Sequence, residues 1–321
     1  MLESKGILEN KYSEFGLFFF PGILAFLFLW GLPEQWSGQL WLVVVAYYFS
    51  DAGHVFTTIL RYDFKSKADY KEVLYPLAIF STVFFTCFAF RINEVWHAIV
   101  YLTFVHNLKQ AYGISAWYRM LGREERKTPN TFKFLFYTLN LLALAALHFR
   151  PKPGVLKEYP LLFVFRYESE VLFYGTLLLY FVGMLFLIRE RLKNAKTREA
   201  FAFPFVMCSV YFVSFVFSKN SHQILIPLIL THGLAYMGMI SHSSKRLFDS
   251  SKVPIIIGIG IAGGLADWLF LEEMVFQKYN VIVHHFFRAI VFGAIFTHYY
   301  LDGFLWRREH PQIPQISAAS D

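Results

Sequence analysis

The chain has 321 residues, 56% of them hydrophobic and 20% aromatic, with a net charge of +7 and a mean hydropathy of +0.43. Soluble domains hold about 45–50% apolar residues, and here the apolar runs reach the roughly 17–25 residues that cross a bilayer, which excludes a soluble globule. The runs do not alternate as β-barrel strands do, the basic residues lie in loops rather than in a nucleic-acid patch, and two cysteines inside apolar runs, Cys87 and Cys208, exclude a disulfide framework or thiolate metal site.

The predicted fold is an all-α, polytopic transmembrane helix bundle of about ten spans. The spans are expected at roughly 15–31, 39–60, 73–90, 95–118, 132–149, 171–188, 201–218, 223–241, 253–270 and 282–305. Residues 1–321 read as one integral-membrane domain, with a bundle over 15–305 and tails at 1–14 and 306–321. The first 14 residues mix charges and lack the basic start of a signal peptide, so no cleaved targeting segment is expected. Residues 150–170 combine Pro151, Pro153 and Gly154 with an apolar patch and read as a loop with an interfacial segment.

Basic residues orient the spans. Arg61, Lys65, Lys67 and Lys71 follow span two, Arg119, Arg123, Arg126, Lys127 and Lys133 follow span four, and Arg189, Arg191, Lys193, Lys196 and Arg198 follow span six. The opposite side is about threefold poorer in Lys and Arg, which predicts that both termini are cytoplasmic. Trp30, Trp36, Trp41, Trp96, Trp117, Trp268 and Trp306 lie near span ends, as an aromatic belt requires. Pro204 and Pro227 fall inside spans seven and eight, where proline removes a helical donor. The glycine-rich run Gly258 to Gly264 imitates a dinucleotide fingerprint. It lies inside an apolar span with no preceding strand, so it reads as a helix-packing surface.

Ionisable residues inside spans are costly and point to function. His54, His106, His232 and His298 lie about fifteen, eleven, nine and sixteen residues into spans two, four, eight and ten. In the predicted topology these spans run in one direction, so the depths agree within roughly 10 Å. Each histidine has a polar neighbour at helical spacing: Asp51, Gln110, Tyr236 and Asp302. Imidazole is the commonest transition-metal ligand side chain, and a ligating histidine usually donates its other N–H to a carboxylate or carbonyl. These four histidines are therefore the expected metal ligands. Asp51 and Asp302 complete or orient the set, and Tyr299 stands beside it. A histidine and carboxylate set suits iron first, and also zinc, copper or manganese. A second candidate set, His97, His222, His284 and His285, marks the outer ends of the same helices. Lys109 and Arg288 lie within spans and read as snorkelling, paired with a carboxylate, or holding an anionic headgroup.

The stretches Asp51-Ala-Gly-His54, Val105-His106-Asn107, Thr231-His232-Gly233 and His298-Tyr-Tyr-Leu-Asp302 place one histidine on each of four spans. That layout resembles the bacterial β-carotene dioxygenases, polytopic non-heme iron enzymes that cleave a carotenoid. The resemblance implies iron-dependent chemistry on a lipid-soluble substrate. The His-x-x-His-His boxes of membrane desaturases and hydroxylases are absent. The expected function is a metal-dependent membrane oxidoreductase or oxygenase with a lipid or isoprenoid substrate, an electron donor as a candidate partner, and no nucleic acid. Two other classes fit parts of the pattern: a proton-coupled transporter with a His/Asp relay, and a haem or quinone protein.

Overall fold

A computed structural model describes residues 11–31, 50, 53–55, 67–92, 94–124, 129–151, 167–219, 221–243, 262 and 281–305. Among the described residues the chain is helical and contains no strand, as its unbroken apolar runs dictate. A short helix α1 (Lys11–Glu14) leads into a π-helical turn (Phe15–Phe19) and then α2 (Phe20–Gly31). There follow α3 (Lys67–Ala89), α4 (Glu94–Leu121), α5 (Pro129–Phe149), α6 (Glu170–Asn194), α7 (Arg198–Val216), α8 (Ser221–Ser243) and α9 (Val281–Leu305).

Five of these are long and apolar enough to cross a membrane: Tyr70–Ala89, Thr131–Phe149, Glu170–Asn194, Arg198–Val216 and Val281–Gly303. This is the character of an integral membrane protein. The structure does not support a count of ten. Of predicted spans one and eight, the described residues include the apolar helical stretches Phe15–Leu27 and Gln223–Tyr236. Predicted span four becomes α4, long enough at 28 residues but interrupted by His97, His106, Lys109 and Gln110, which lower its apolarity below that of a span. Span nine, most of span two, the glycine-rich run and most of the 150–170 segment lie outside the described residues. On α6, Val171, Leu178, Leu185 and Leu192 recur every seven residues and are all exposed, a stripe suited to lipid rather than water.

The chain divides into two compact units, residues 1–42 with 96–238 and residues 43–95 with 239–321. In the first unit α5 packs on α6 and α7, and the core is aromatic. Tyr180 of α6 stacks on Phe212 of α7 at 4.2 Å between centroids, and Phe104 of α4 meets Tyr211 and Phe215 at 5.6 and 5.7 Å. Phe18 and Phe19 of the π-helical turn contact Phe203 of α7. Glu14, at the end of α1, is buried and accepts the Tyr118 hydroxyl.

Sequence alone puts Arg119 and Arg191 in basic loops, near Glu124 and Glu190. The structure buries them together. Arg191 has no exposed surface, and all five of its N–H donors are used. It is bidentate to Glu124 at 2.9 and 3.0 Å and to Glu190 at 2.5 and 2.9 Å, and it reaches the Ala200 carbonyl at 3.4 Å. Ala200 lies four residues before Pro204, which has no N–H to give it, so the guanidinium supplies the missing donor. Arg119 bonds the same Glu124 at 2.8 Å, and both guanidiniums lie over the Phe132 ring, at 4.6 and 4.7 Å from its centroid. Replacing Glu124 by Ala leaves the buried Arg119 without its carboxylate, while Arg191 keeps Glu190, and should destabilise by about 3–5 kcal/mol. Adding Arg119→Met to that variant should recover part of the loss, as read from thermal unfolding in detergent. A double variant no more stable than Glu124→Ala would show that the clamp does not carry the effect.

In the second unit α3 and α9 pack antiparallel. Phe80, Phe84 and Phe88 recur every four residues along α3 and meet Phe292 and Phe296 of α9 at 4.8–5.9 Å. Gly293 lets the backbones approach. A Cβ there would lie 2.1 Å from the Ser81 hydroxyl and 2.9 Å from the Ser81 backbone nitrogen. Gly293→Val should therefore cost about 1–3 kcal/mol by overpacking. Gly175→Ala on α6, where a Cβ would meet nothing within 4 Å, should instead gain about 0.5–1 kcal/mol from helix propensity. Melting temperatures of the two variants should move in opposite directions.

Candidate metal centre

Residues four apart on a helix share a face, so α9 presents His298 and Asp302 together. Both are buried, and His298 Nε2 lies 3.7 Å from Asp302 Oδ2. That is long for a hydrogen bond. It is right for two donors on one ion, since ligands at about 2.0–2.2 Å from zinc-like ions can stand up to ~4.2 Å apart. The contact of Gly293 with Ser81 fixes α9 just over one turn before His298. Between them Thr297 is anchored by its hydroxyl, which donates to the Gly293 carbonyl at 2.7 Å.

His54 belongs to the same unit and is also buried. Its ring centroid is 4.8 Å from that of His298, with the planes at 81°. Ring nitrogens of the two lie within 4.8 Å. His54 Nδ1 donates to the Ser50 carbonyl at 2.9 Å. A carbonyl only accepts, so this bond fixes the tautomer and makes Nε2 the lone-pair atom, the usual orientation of a metal-ligating histidine.

The first unit holds the other pair. His106 of α4 and His232 of α8 stand 5.1 Å apart between centroids, with planes at 76°. Gln110, one turn after His106, donates its Nε2 to the His232 carbonyl at 3.2 Å and ties the two helices at that level. Its amide oxygen is buried and finds no donor among the described residues. Helix α8 runs unbroken through Pro227, and the Thr231 hydroxyl donates to the Pro227 carbonyl at 2.7 Å. Gly22 of α2 admits Thr231 closely, since a Cβ there would lie 2.7 Å from the Thr231 methyl.

By chain division, His54, His298 and Asp302 belong to one unit and His106 and His232 to the other. Asp51 lies outside the described residues. Tyr299 is half-buried, 5.6 Å from the His298 ring and packed on Phe296, while Tyr300 is exposed. Tyr236 is buried on α8. Of the second set, His284 and His285 begin α9 in one unit, while His97 on α4 belongs to the other, as does His222 on the first turn of α8. Lys109 is exposed.

Sequence reasoning missed the Ser50 carbonyl, a backbone acceptor that no residue type announces. Buried His and Asp side chains of this chain could hold a metal ion, and the nitrogen and oxygen donors fit a transition metal without thiolates. No protein-family model, no curated protein and no solved structure matches this chain.

Proposed function

We propose that the chain is a metal-dependent membrane oxidoreductase or oxygenase, with non-heme iron as the metal and a lipid-soluble, isoprenoid-like substrate. The observation that carries this reading is the buried group of His54, His298 and Asp302, whose His–Asp spacing of 3.7 Å suits a shared ion. His54 and His298 act as ligands through ring nitrogens, and the Ser50 carbonyl holds the His54 ring in its ligating tautomer. Asp302 either completes the ligand set or accepts the N–H of a ligating imidazole. His106 and His232 are proposed as further ligands, with Asp51 and Tyr299 in supporting roles. Bound iron would supply oxygen activation, and an external electron donor would then be required. The chain's own part is to hold the imidazoles, keep water out with Phe80, Phe84, Phe292 and Phe296, and admit an apolar substrate from the bilayer.

Metal analysis of purified protein tests this directly. Wild type should carry stoichiometric transition metal, with iron predominant over zinc, copper and manganese. His298→Ala should abolish it. Asp302→Asn should lower metal affinity or activity by about 10–100-fold if the carboxylate orients a ligand, and should abolish binding if it is itself a ligand. His106→Ala and His232→Ala, measured in the same way, report whether the second pair holds metal. Wild type without metal after reconstitution would overturn the proposal and favour a proton relay through His298 and Asp302.

The finer topology is also proposed: ten spans with both ends cytoplasmic, supported by the lysine and arginine asymmetry of the loops. Reporter fusions at residues 1 and 321 should both report the cytoplasm. Ends on opposite sides would require an odd number of spans.

A further inference from the structure

One cluster of basic side chains lies outside the group of His54, His298 and Asp302, and it includes His284 and His285 of the second predicted set. It lies where α3 ends and α9 begins, in the second unit. His284, His285 and Arg288 occupy the first two turns of α9, and Arg91 caps α3. Phe88 is the platform for two of them. The His285 ring stacks on it at 6.3 Å and 29°, and the Arg288 guanidinium lies 5.0 Å from its centroid. The His284 and His285 rings are 5.9 Å apart. The charged and titratable neighbours acting on His284 are Arg288 and His285, and those acting on His285 are Arg288 and Arg91.

His284 is only 2% exposed, and its Nδ1 has no hydrogen-bond partner among the described residues; the Nδ1 of His285 has none either. A buried ring nitrogen without a partner is costly, and a bound acceptor would relieve it. A divalent cation fits this place poorly, because two guanidiniums repel it. An anion fits on every count. A guanidinium has five donors, so Arg288 can hold an anion alongside another partner.

The conformation of Arg91 is also notable. Its φ is 56°, in the left-handed region where glycine is favoured. Ile92 N–H donates to Cys87 C=O at 2.8 Å and Arg91 N–H to Phe88 C=O at 3.2 Å, the bond pattern of a glycine-type helix cap. A cation stands where backbone geometry would prefer no side chain.

We propose that His284, His285, Arg288 and Arg91, grouped around Phe88 at the start of α9, form an oxyanion site for a phosphate group. The group comes from an anionic phospholipid headgroup or from free phosphate. Its place at the ends of the spans Tyr70–Ala89 and Val281–Gly303 is the level at which headgroup phosphates lie. The site is independent of the metal reading, and its test involves no metal-dependent activity.

The test uses the full chain in nanodiscs and in detergent. Native mass spectrometry counts retained phosphatidylglycerol against phosphatidylcholine, and calorimetry follows inorganic phosphate. Wild type should prefer the anionic probe. Arg288→Gln should weaken that binding by about tenfold, the loss of one charge-assisted hydrogen bond. Arg91→Gly is the cleaner variant, because it relieves the backbone and should melt no lower than wild type while still losing anion affinity severalfold. Retention of phosphatidylglycerol without phosphate binding assigns a lipid source, and phosphate binding that competes with it assigns the free ion as well. Wild type without preference for either anion, or unchanged binding in both variants, would overturn the site. So would stoichiometric zinc binding lost in His284→Gln.

Discussion

Arg191 sits out of water at a helix end, and a guanidinium in that position must have every N–H met. Its five donors go to Glu124, Glu190 and the Ala200 carbonyl. The consequence is architectural. Glu124 follows α4, Glu190 belongs to α6, Ala200 to α7, and the Phe132 ring under the guanidinium to α5. One side chain therefore sets the relative positions of four helix ends in the first unit. Pro204 is part of the same arrangement, because its missing donor leaves the Ala200 carbonyl open to Arg191. A pattern that reads in sequence as loop charge for orientation is also a packed polar core.

The second unit solves its packing by the opposite means. Among the described residues no ion pair joins α3 to α9 along their centre; phenylalanines interlock, and Gly293 brings backbone against Ser81. That close approach is what makes the His298 position reproducible. A ligand set needs placement within about half an ångström, and a helix held by backbone contact meets that better than one held by long side chains. The Gln110 amide has the corresponding task in the first unit, where it ties α4 to α8 beside His106 and His232.

Much of this was legible in the sequence. Apolar run length located the helices that became α3, α5, α6, α7 and α9, because in a bilayer every backbone group must be bonded within the helix. Helical spacing put His298 and Asp302 on one face, and the structure keeps them there. The span count was not legible. Run length does not discount the His, Lys and Gln residues along α4. The pairing of His54 with His298 joins residues 244 positions apart and depends on tertiary packing, so periodicity cannot supply it. The tautomer of His54 is set by a carbonyl, and carbonyls have no signature in sequence.

The Arg191 clamp also bears on biogenesis. Synthesis runs from the N-terminus, so Glu124 and Phe132 are made some sixty residues before Arg191, and Ala200 later still. Until α6 is complete, Arg119 is the only described cation bonded to the Glu124 carboxylate. When Arg191 arrives it bonds its neighbour Glu190 and the waiting Glu124, and it then needs the start of α7 to finish its bonds. The network therefore closes only after residues from four helices have been made. An arrest or truncation between residues 191 and 200 would leave a half-bonded cation at the membrane edge, the kind of exposed defect by which quality-control machinery could recognise an unfinished chain.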